Sequence, residues 1–137
     1  MKLAGRTDTG LVRTHNEDAL TFDNQAGVLV VADGVGGHAK GETAAAMAVE
    51  GFREGFRYRT GFETRDPKEE REFTSHLVGK ANRMIHRVTS RPGFRDMGTT
   101  LVVLSAARHA VAKLAEGCPR GCLAHRPAYD QVPLRRS

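Results

Sequence analysis

Asp33 closes a short apolar run, Val28-Leu29-Val30-Val31-Ala32, and hands the chain directly to Gly34-Val35-Gly36-Gly37. The β-branched run has the character of a buried strand, and the glycines mark a tight loop. A carboxylate at that position offers hard oxygen ligands suited to Mg²⁺ or Mn²⁺. Glycines beside it let a ligand approach the backbone closely. Upstream, Arg13-Thr14-His15-Asn16-Glu17-Asp18 adds two acids and a planar guanidinium fork that matches phosphate oxygens. Singly, each residue has a plainer reading: Asp33 as the cap of its loop, the others as solvated charges. One cation and three carboxylates gathered around a Gly-rich loop make a set for holding metal and phosphate.

Two other phosphate-binding patterns fail on the same residues. Gly34-Val35-Gly36-Gly37-His38-Ala39 fits the G-x-G-x-x-A dinucleotide fingerprint. An Asp immediately before the first glycine would repel a pyrophosphate, however. Glu54, spaced like the ribose acid, falls in a helical stretch instead of at a strand end. The stretch from Gly37 to Thr43 is one residue short of a P-loop and carries Glu42 where the phosphate-binding Lys belongs.

The elements that must position these residues follow from periodicity and turn chemistry. Residues 2–8 and 18–23 read as short strands flanking the first polar cluster. Asn24-Gln25-Ala26-Gly27 supplies turn residues, so 18–23 and 28–33 are expected to form an antiparallel hairpin. Past the glycines, Gly41 to about Tyr58 reads as a helix with Ala45, Ala48, Val49, Phe52 and Phe56 on one face. Asp66-Pro67 gives an N-cap and a first-turn proline, with Glu69 at the capping-box position. The helix that follows carries Phe73, Leu77, Ala81, Met84 or Ile85, and Val88 as its apolar stripe, and Arg91-Pro92-Gly93 ends it. Gly98 to Ser105 is a further strand. This order does not alternate as a parallel α/β sheet would, so the fold class is α+β. From about Ala106 the pattern dissolves, with Arg108 to Ala115 read as one or two helical turns.

At 137 residues and 39% apolar content, the chain has the size of one ordinary domain. The formal charge of +5 is unevenly spread. Residues 1–106 hold 15 Lys/Arg and 14 Asp/Glu, whereas residues 107–137 hold 6 and 2. The folded part is therefore nearly neutral and lacks the aromatic-basic stripe that stacks bases, so no nucleic-acid partner is expected. No segment approaches the ~20 apolar residues that cross a bilayer. Met1 to Asp8 lacks a leader's apolar stretch, so no membrane partner and a cytoplasmic location are expected. Cys118 and Cys122, even with His109 and His125, fall short of the paired ligand groups of a zinc site.

Three segments, taken together and in order, resemble the metal-dependent Ser/Thr protein phosphatases of type 2C (the PPM family), in particular its bacterial branch. They are Asp8-Thr9-Gly10-Leu11-Val12-Arg13-Thr14-His15-Asn16-Glu17-Asp18, then Val30-Val31-Ala32-Asp33-Gly34-Val35-Gly36-Gly37-His38-Ala39-Lys40-Gly41-Glu42, and Met97-Gly98-Thr99-Thr100-Leu101-Val102-Val103. The resemblance implies an α-β-β-α sandwich: two antiparallel sheets between helix pairs, of which only the N-terminal half is present. It implies hydrolysis of phosphomonoesters in phosphoproteins by a metal-activated water, without a covalent phosphoenzyme. Two Mn²⁺ or Mg²⁺ ions are expected in the intact family site. By the same resemblance Arg13 contacts the substrate phosphate, and Glu17, Asp33 and the Gly34 carbonyl bind metal. Asp33 bridges, and Asp18 stands behind the metal ligands, acting through water. Val35 stands where some members carry a histidine thought to act as an acid, a role His38 does not simply inherit.

The resemblance ends just past Leu104. The family's later Asp-bearing segments do not follow, which implies residues 1–106 as the N-terminal part of a phosphatase domain, truncated, and 107–137 as an unrelated basic, disordered tail. The alternative is a non-catalytic fragment that acts as a binding module.

Overall fold

The structure is a computed structural model and describes residues 2–37, 39–107, 110–116 and 130–133. Two strands, β1 (Asp18–Asp23) and β2 (Val28–Val35), form the expected hairpin, in register from Asp18↔Asp33 to Asp23↔Val28. Asp23 makes the turn. Its Oδ1 accepts from the backbone N–H of Gln25 at 2.7 Å and of Ala26 at 2.9 Å, the side-chain turn for which Asp is favoured. Gly27 completes it at φ 67°, where a Cβ would also run into the Phe62 ring at 2.7 Å.

Helix α1 (Ala39–Phe56) follows, then a single 3₁₀ turn (Phe62–Thr64), then helix α2 (Pro67–Thr89). Asp66 caps α2 by accepting from Lys68 N at 2.9 Å and Glu69 N at 3.2 Å, with Pro67 opening the helix. Strands β3 (Gly98–Thr99), β4 (Leu101–Ala107), β5 (Ala110–Glu116) and β6 (Asp130–Pro133) complete the chain order. The six strands form one antiparallel sheet in the order β1-β2-β4-β5-β6, with β3 beside β2. Both helices lie on one face of it. Val28, Val30 and Ala32 of β2 and Leu101 and Val103 of β4 pack there against Ala44, Ala45, Ala48, Phe52 and Phe56 of α1 and Leu77, Val78 and Ile85 of α2. Phe56 meets Phe73 edge to face, with centroids 5.3 Å apart, a favoured aromatic geometry. One sheet and one helix pair are thus half of the expected layered α+β arrangement.

Two expectations change, and one open alternative is decided. Residues 2–8 form no strand: the segment is tied to the turn by Asn24, whose Oδ1 accepts from Leu3 N, and has no ladder partner among the described residues. Residues 110–116 are strand β5 instead of helical turns, because β4 offers a full edge and pairs with them from Leu101↔Glu116 to Ala107↔Ala110. The sheet therefore continues past residue 106. On α2, Ile85 and not Met84 takes the buried position of the stripe. Cys118, Cys122, His109, His125 and His38 lie outside the described residues.

A charge network, unannounced by the sequence, sits under the far end of the sheet. Glu70 of α2 is fully buried and accepts from Arg59 at 2.8 Å and from Arg65 at 3.1 Å. The Ser105 hydroxyl donates to the same carboxylate, and Arg65 donates to the Ala26 carbonyl. Burial pushes the Arg65 guanidinium below its ordinary value, with the Glu70 carboxylate opposing. The Arg59 guanidinium also lies 3.9 Å from the centre of the Phe73 ring. One acid thereby joins α2, the connector before it, the β1–β2 turn and β4.

Candidate active site

The opposite end of the sheet carries the residues singled out first. Asp33 is the sixth residue of β2 and is held by its backbone from the β3–β4 segment. Its N–H donates to Thr100 Oγ1 at 3.3 Å, and its carbonyl accepts from Thr100 N at 2.8 Å and from the buried Thr99 hydroxyl at 3.0 Å. The motif Met97-Gly98-Thr99-Thr100 is thus the mount of Asp33. With its main chain fixed on both sides, the Asp33 carboxylate is left exposed.

Glu17 precedes β1, and its carbonyl accepts from Gly34 N at 3.0 Å. Gly34 in turn lies against the first turn of α1: a Cβ on it would fall 2.1 Å from the Gly41 carbonyl oxygen. A Cβ on Gly41 would fall 2.4 Å from Glu17 Oε2 and 2.9 Å from the Gly34 carbonyl carbon. The missing side chain at residue 41 is what lets the Glu17 carboxylate and the Gly34 carbonyl share one small space. Gly36, at φ 126°, makes the next close approach, with the Asp96 carbonyl oxygen 2.5 Å from where its Cβ would be. Asp96 is itself left-handed at φ 67°. The Lys40 ammonium donates to the Arg95 carbonyl at 3.2 Å and ties this loop to α1.

These contacts open a cleft of about 620 Å³ lined by Val12, Arg13, Thr14, His15, Glu17, Asp33, Gly34, Val35 and Gly36. Arg13, Glu17, Asp33 and Gly34 all line this one cleft. Asp18 does not line this cleft. It is the cross-strand partner of Asp33 and borders a neighbouring hollow of about 310 Å³ with Arg6, Thr7, Leu20 and Val31. Thr14 and His15 are lining residues that sequence reasoning passed over, although they lie between two residues it chose. The roles of Thr99, Thr100 and Gly41 carry no local signal, because each depends on a segment distant in the chain.

The donors in the cleft suit a hard divalent cation. Mg²⁺ and its like keep several waters and take one or two carboxylates. The Glu17 and Asp33 carboxylates with the Gly34 carbonyl match that demand for one hydrated ion. Among the described residues there is no group of three or more His, Cys, Asp or Glu able to hold a metal, so the fit extends to one ion and not to a complete pair.

Residues 12–118 match the sequence profile of the family described as Protein phosphatase 2C. The chain belongs to the protein phosphatase 2C family. Its curated type 2C relatives include Protein phosphatase PhpP of Streptococcus pneumoniae, 36% identical over 108 residues that make up 77% of this chain and 43% of that one. Another is the serine/threonine phosphatase stp of Listeria innocua, 31% identical over 131 residues, 93% of this chain and 51% of that one. The chain spans about half the length of the curated relatives it matches. Among solved structures it is similar to PppA, a regulatory component of T6SS in Pseudomonas aeruginosa, with a TM-score of 0.68 and 30% identity over 80% of this chain and 45% of that one. It is similar also to the catalytic domain of the serine/threonine phosphatase PstP in complex with 2 manganese ions, with a TM-score of 0.68 and 27% identity over 82% of this chain and 46% of that one. The sheet and helix pair are the N-terminal part of the type 2C fold. No helix among the described residues is long and apolar enough to cross a membrane.

Proposed function

We propose that this chain carries the phosphate-contacting and metal-holding part of a cytoplasmic Ser/Thr phosphoprotein phosphatase. The observation that carries the reading is the convergence of Arg13, Glu17, Asp33 and Gly34, from separate segments, on one cleft. In this reading Arg13 grips phosphate oxygens with its planar donor fork. Glu17, Asp33 and the Gly34 carbonyl hold Mn²⁺ or Mg²⁺, and Asp18 acts behind Asp33 through water. When bound, such an ion neutralises phosphate charge and acidifies water. Thr99 and Thr100 keep the Asp33 backbone still while its carboxylate works, and the glycines leave the backbone open to the phosphate. The name of the Listeria relative, a serine/threonine phosphatase, supports a phosphoserine or phosphothreonine substrate.

The test is hydrolysis of a small aryl phosphate by the 137-residue chain with Mn²⁺, with chelator, and in two variants. Turnover is expected to require Mn²⁺ and to fall by about two orders of magnitude or more in Asp33→Asn, which removes a ligand charge. Arg13→Ala is expected to raise KM by about tenfold through loss of the bidentate phosphate contact. Wild-type turnover no higher than that of Asp33→Asn would leave a non-catalytic binding module as the function.

A further inference from the structure

Positive charge gathers on one side of α2. From Phe73 to Arg95 the chain holds five Lys or Arg and no Asp or Glu, whereas the rest of residues 1–106 hold 10 and 14. With about 3.6 residues per turn, Lys80, Arg83 and Arg87 share an arc of roughly 60°. All three are exposed, and the buried Leu77, Val78, Ala81 and Ile85 lie on the other side of the helix. The stripe therefore faces away from the sheet, bounded towards the helix start by the exposed Glu69 and Glu72. A solvated helix face ordinarily offsets its cations with acids three or four residues away. Here Lys80 stands beside Arg83 and Arg83 beside Arg87, like charges that cost the helix a little. Among the described residues none of the five cations is in an ion pair. Attraction to the helix dipole accounts for Arg87 in the last turn but not for Lys80 or Arg83. Arg91 and Arg95, both exposed, carry the charge onward through the connector. There the Lys40 ammonium holds the Arg95 carbonyl, and the Asp96 carbonyl lies against Gly36, a residue of the cleft wall. The basic run thus ends where the cleft begins.

We propose that this stripe docks an acidic segment of the phosphoprotein substrate, laid along Lys80, Arg83 and Arg87 while the phosphorylated residue occupies the cleft. The proposal rests on the phosphatase reading of that cleft and names the substrates it selects: those with Asp or Glu some residues away from the phosphorylated Ser or Thr. Charge complementarity carries it. From Lys80 to Arg87 the helix axis runs about 10 Å, the reach of about three residues of extended peptide. An acidic partner relieves the repulsion among the three cations, which no group of this chain does among the described residues. The apolar side of α2 is committed to the core, so the helix has no face left to sink into a lipid surface. No Phe, Tyr or Trp stands between Lys80 and Arg87, so the stripe has no platform on which bases would stack.

Equilibrium binding of fluorescent synthetic peptides to the full chain in Mn²⁺, read by anisotropy, tests this. One peptide carries a non-hydrolysable phosphonate analogue of phosphothreonine and a run of Asp and Glu. A second replaces that run with Asn and Gln, and a third keeps the run but has plain threonine. The acidic phosphonate peptide is expected to bind about tenfold tighter than the neutral one at roughly 50 mM salt, with the preference fading by roughly 500 mM. The triple variant Lys80→Gln, Arg83→Gln, Arg87→Gln puts good helix formers at exposed positions, so its circular dichroism should match wild type. It should lose the preference for the acidic run and keep the preference for the phosphonate. Equal affinity for the acidic and neutral phosphonate peptides, or a preference that the triple variant retains, would overturn the proposal. Tighter binding of a single-stranded oligonucleotide of equal charge, lost in the triple variant, would assign the stripe to nucleic acid and overturn it too. The phosphonate arm judges the underlying reading separately. Equal affinity with and without the phosphonate, in wild type and in Arg13→Ala alike, would end the phosphate-binding role of the cleft, while the triple variant still decides the stripe.

Discussion

A single methyl group at residue 41 would occupy the space where the Glu17 carboxylate meets the Gly34 carbonyl. Gly41→Ala is therefore expected to weaken Mn²⁺ binding by about tenfold and to cost about 1–3 kcal/mol through overpacking, as read by calorimetric titration and thermal melting. Thr99→Val removes the hydroxyl at the Asp33 carbonyl, which still accepts from Thr100 N. A loss of about 1 kcal/mol is expected, typical of one hydrogen bond, with the strand pairing intact by circular dichroism. The types of Arg13, Glu17 and Asp33 mark them as candidates in the sequence, and the structure lines one cleft with them. The reasons for Gly41 and Thr99 were not legible, because their partners lie far along the chain. By local pattern a Gly-Thr-Thr run before a Val-rich stretch reads as the start of a strand, and the family resemblance marks it as a shared segment without giving its task. The run does start a strand, and it is also the mount of a carboxylate.

Among the elements, α2 shows where sequence signals suffice and where they fail. Asp66 and Pro67 predicted its start, and the 3.6-residue stripe predicted its buried face down to Ala81 and Ile85. Nothing local marks Glu70. An acid in the first turn of a helix reads as a solvated partner of the helix dipole. Its burial depends on Arg59, Arg65 and Ser105, which arrive from separate segments. Glu70→Ala would leave two guanidinium groups without their carboxylate and is expected to destabilise by about 3–5 kcal/mol, measured by urea denaturation. The Arg59 contact with the Phe73 ring remains. β5 was misread for a related reason. Ala110 to Ala115 is rich in the good helix formers Ala, Leu and Lys, and pairing with the free β4 edge decides the outcome over that local propensity.

The described residues form a sheet with both helices on one face, and the candidate site stands at one end of it. The α+β class and hairpin geometry were legible because they rest on local pattern. The strand order was not, since β4 beside β2 is a long-range choice. Cation binding at this end should stabilise the whole fold by linkage. With Mn²⁺ at about a hundred times its Kd, a gain of about 2.7 kcal/mol is expected. Chelator should reverse it as a drop in Tm, and Asp33→Asn should abolish the difference.

The bonds that hold Asp33 reach 66 and 67 residues forward, to Thr99 and Thr100. During synthesis the hairpin and then both helices emerge first, while Asp33 has only its β1 neighbour. Its second support exists once residue 100 has cleared the ribosomal tunnel and folded back over everything made in between. A nascent chain that ends before residue 99 therefore lacks the second support of Asp33, and Mn²⁺ is expected to leave it unchanged. Stalled chains ending before Met97, probed by limited proteolysis, should be cut alike with and without Mn²⁺, whereas the released chain should be protected.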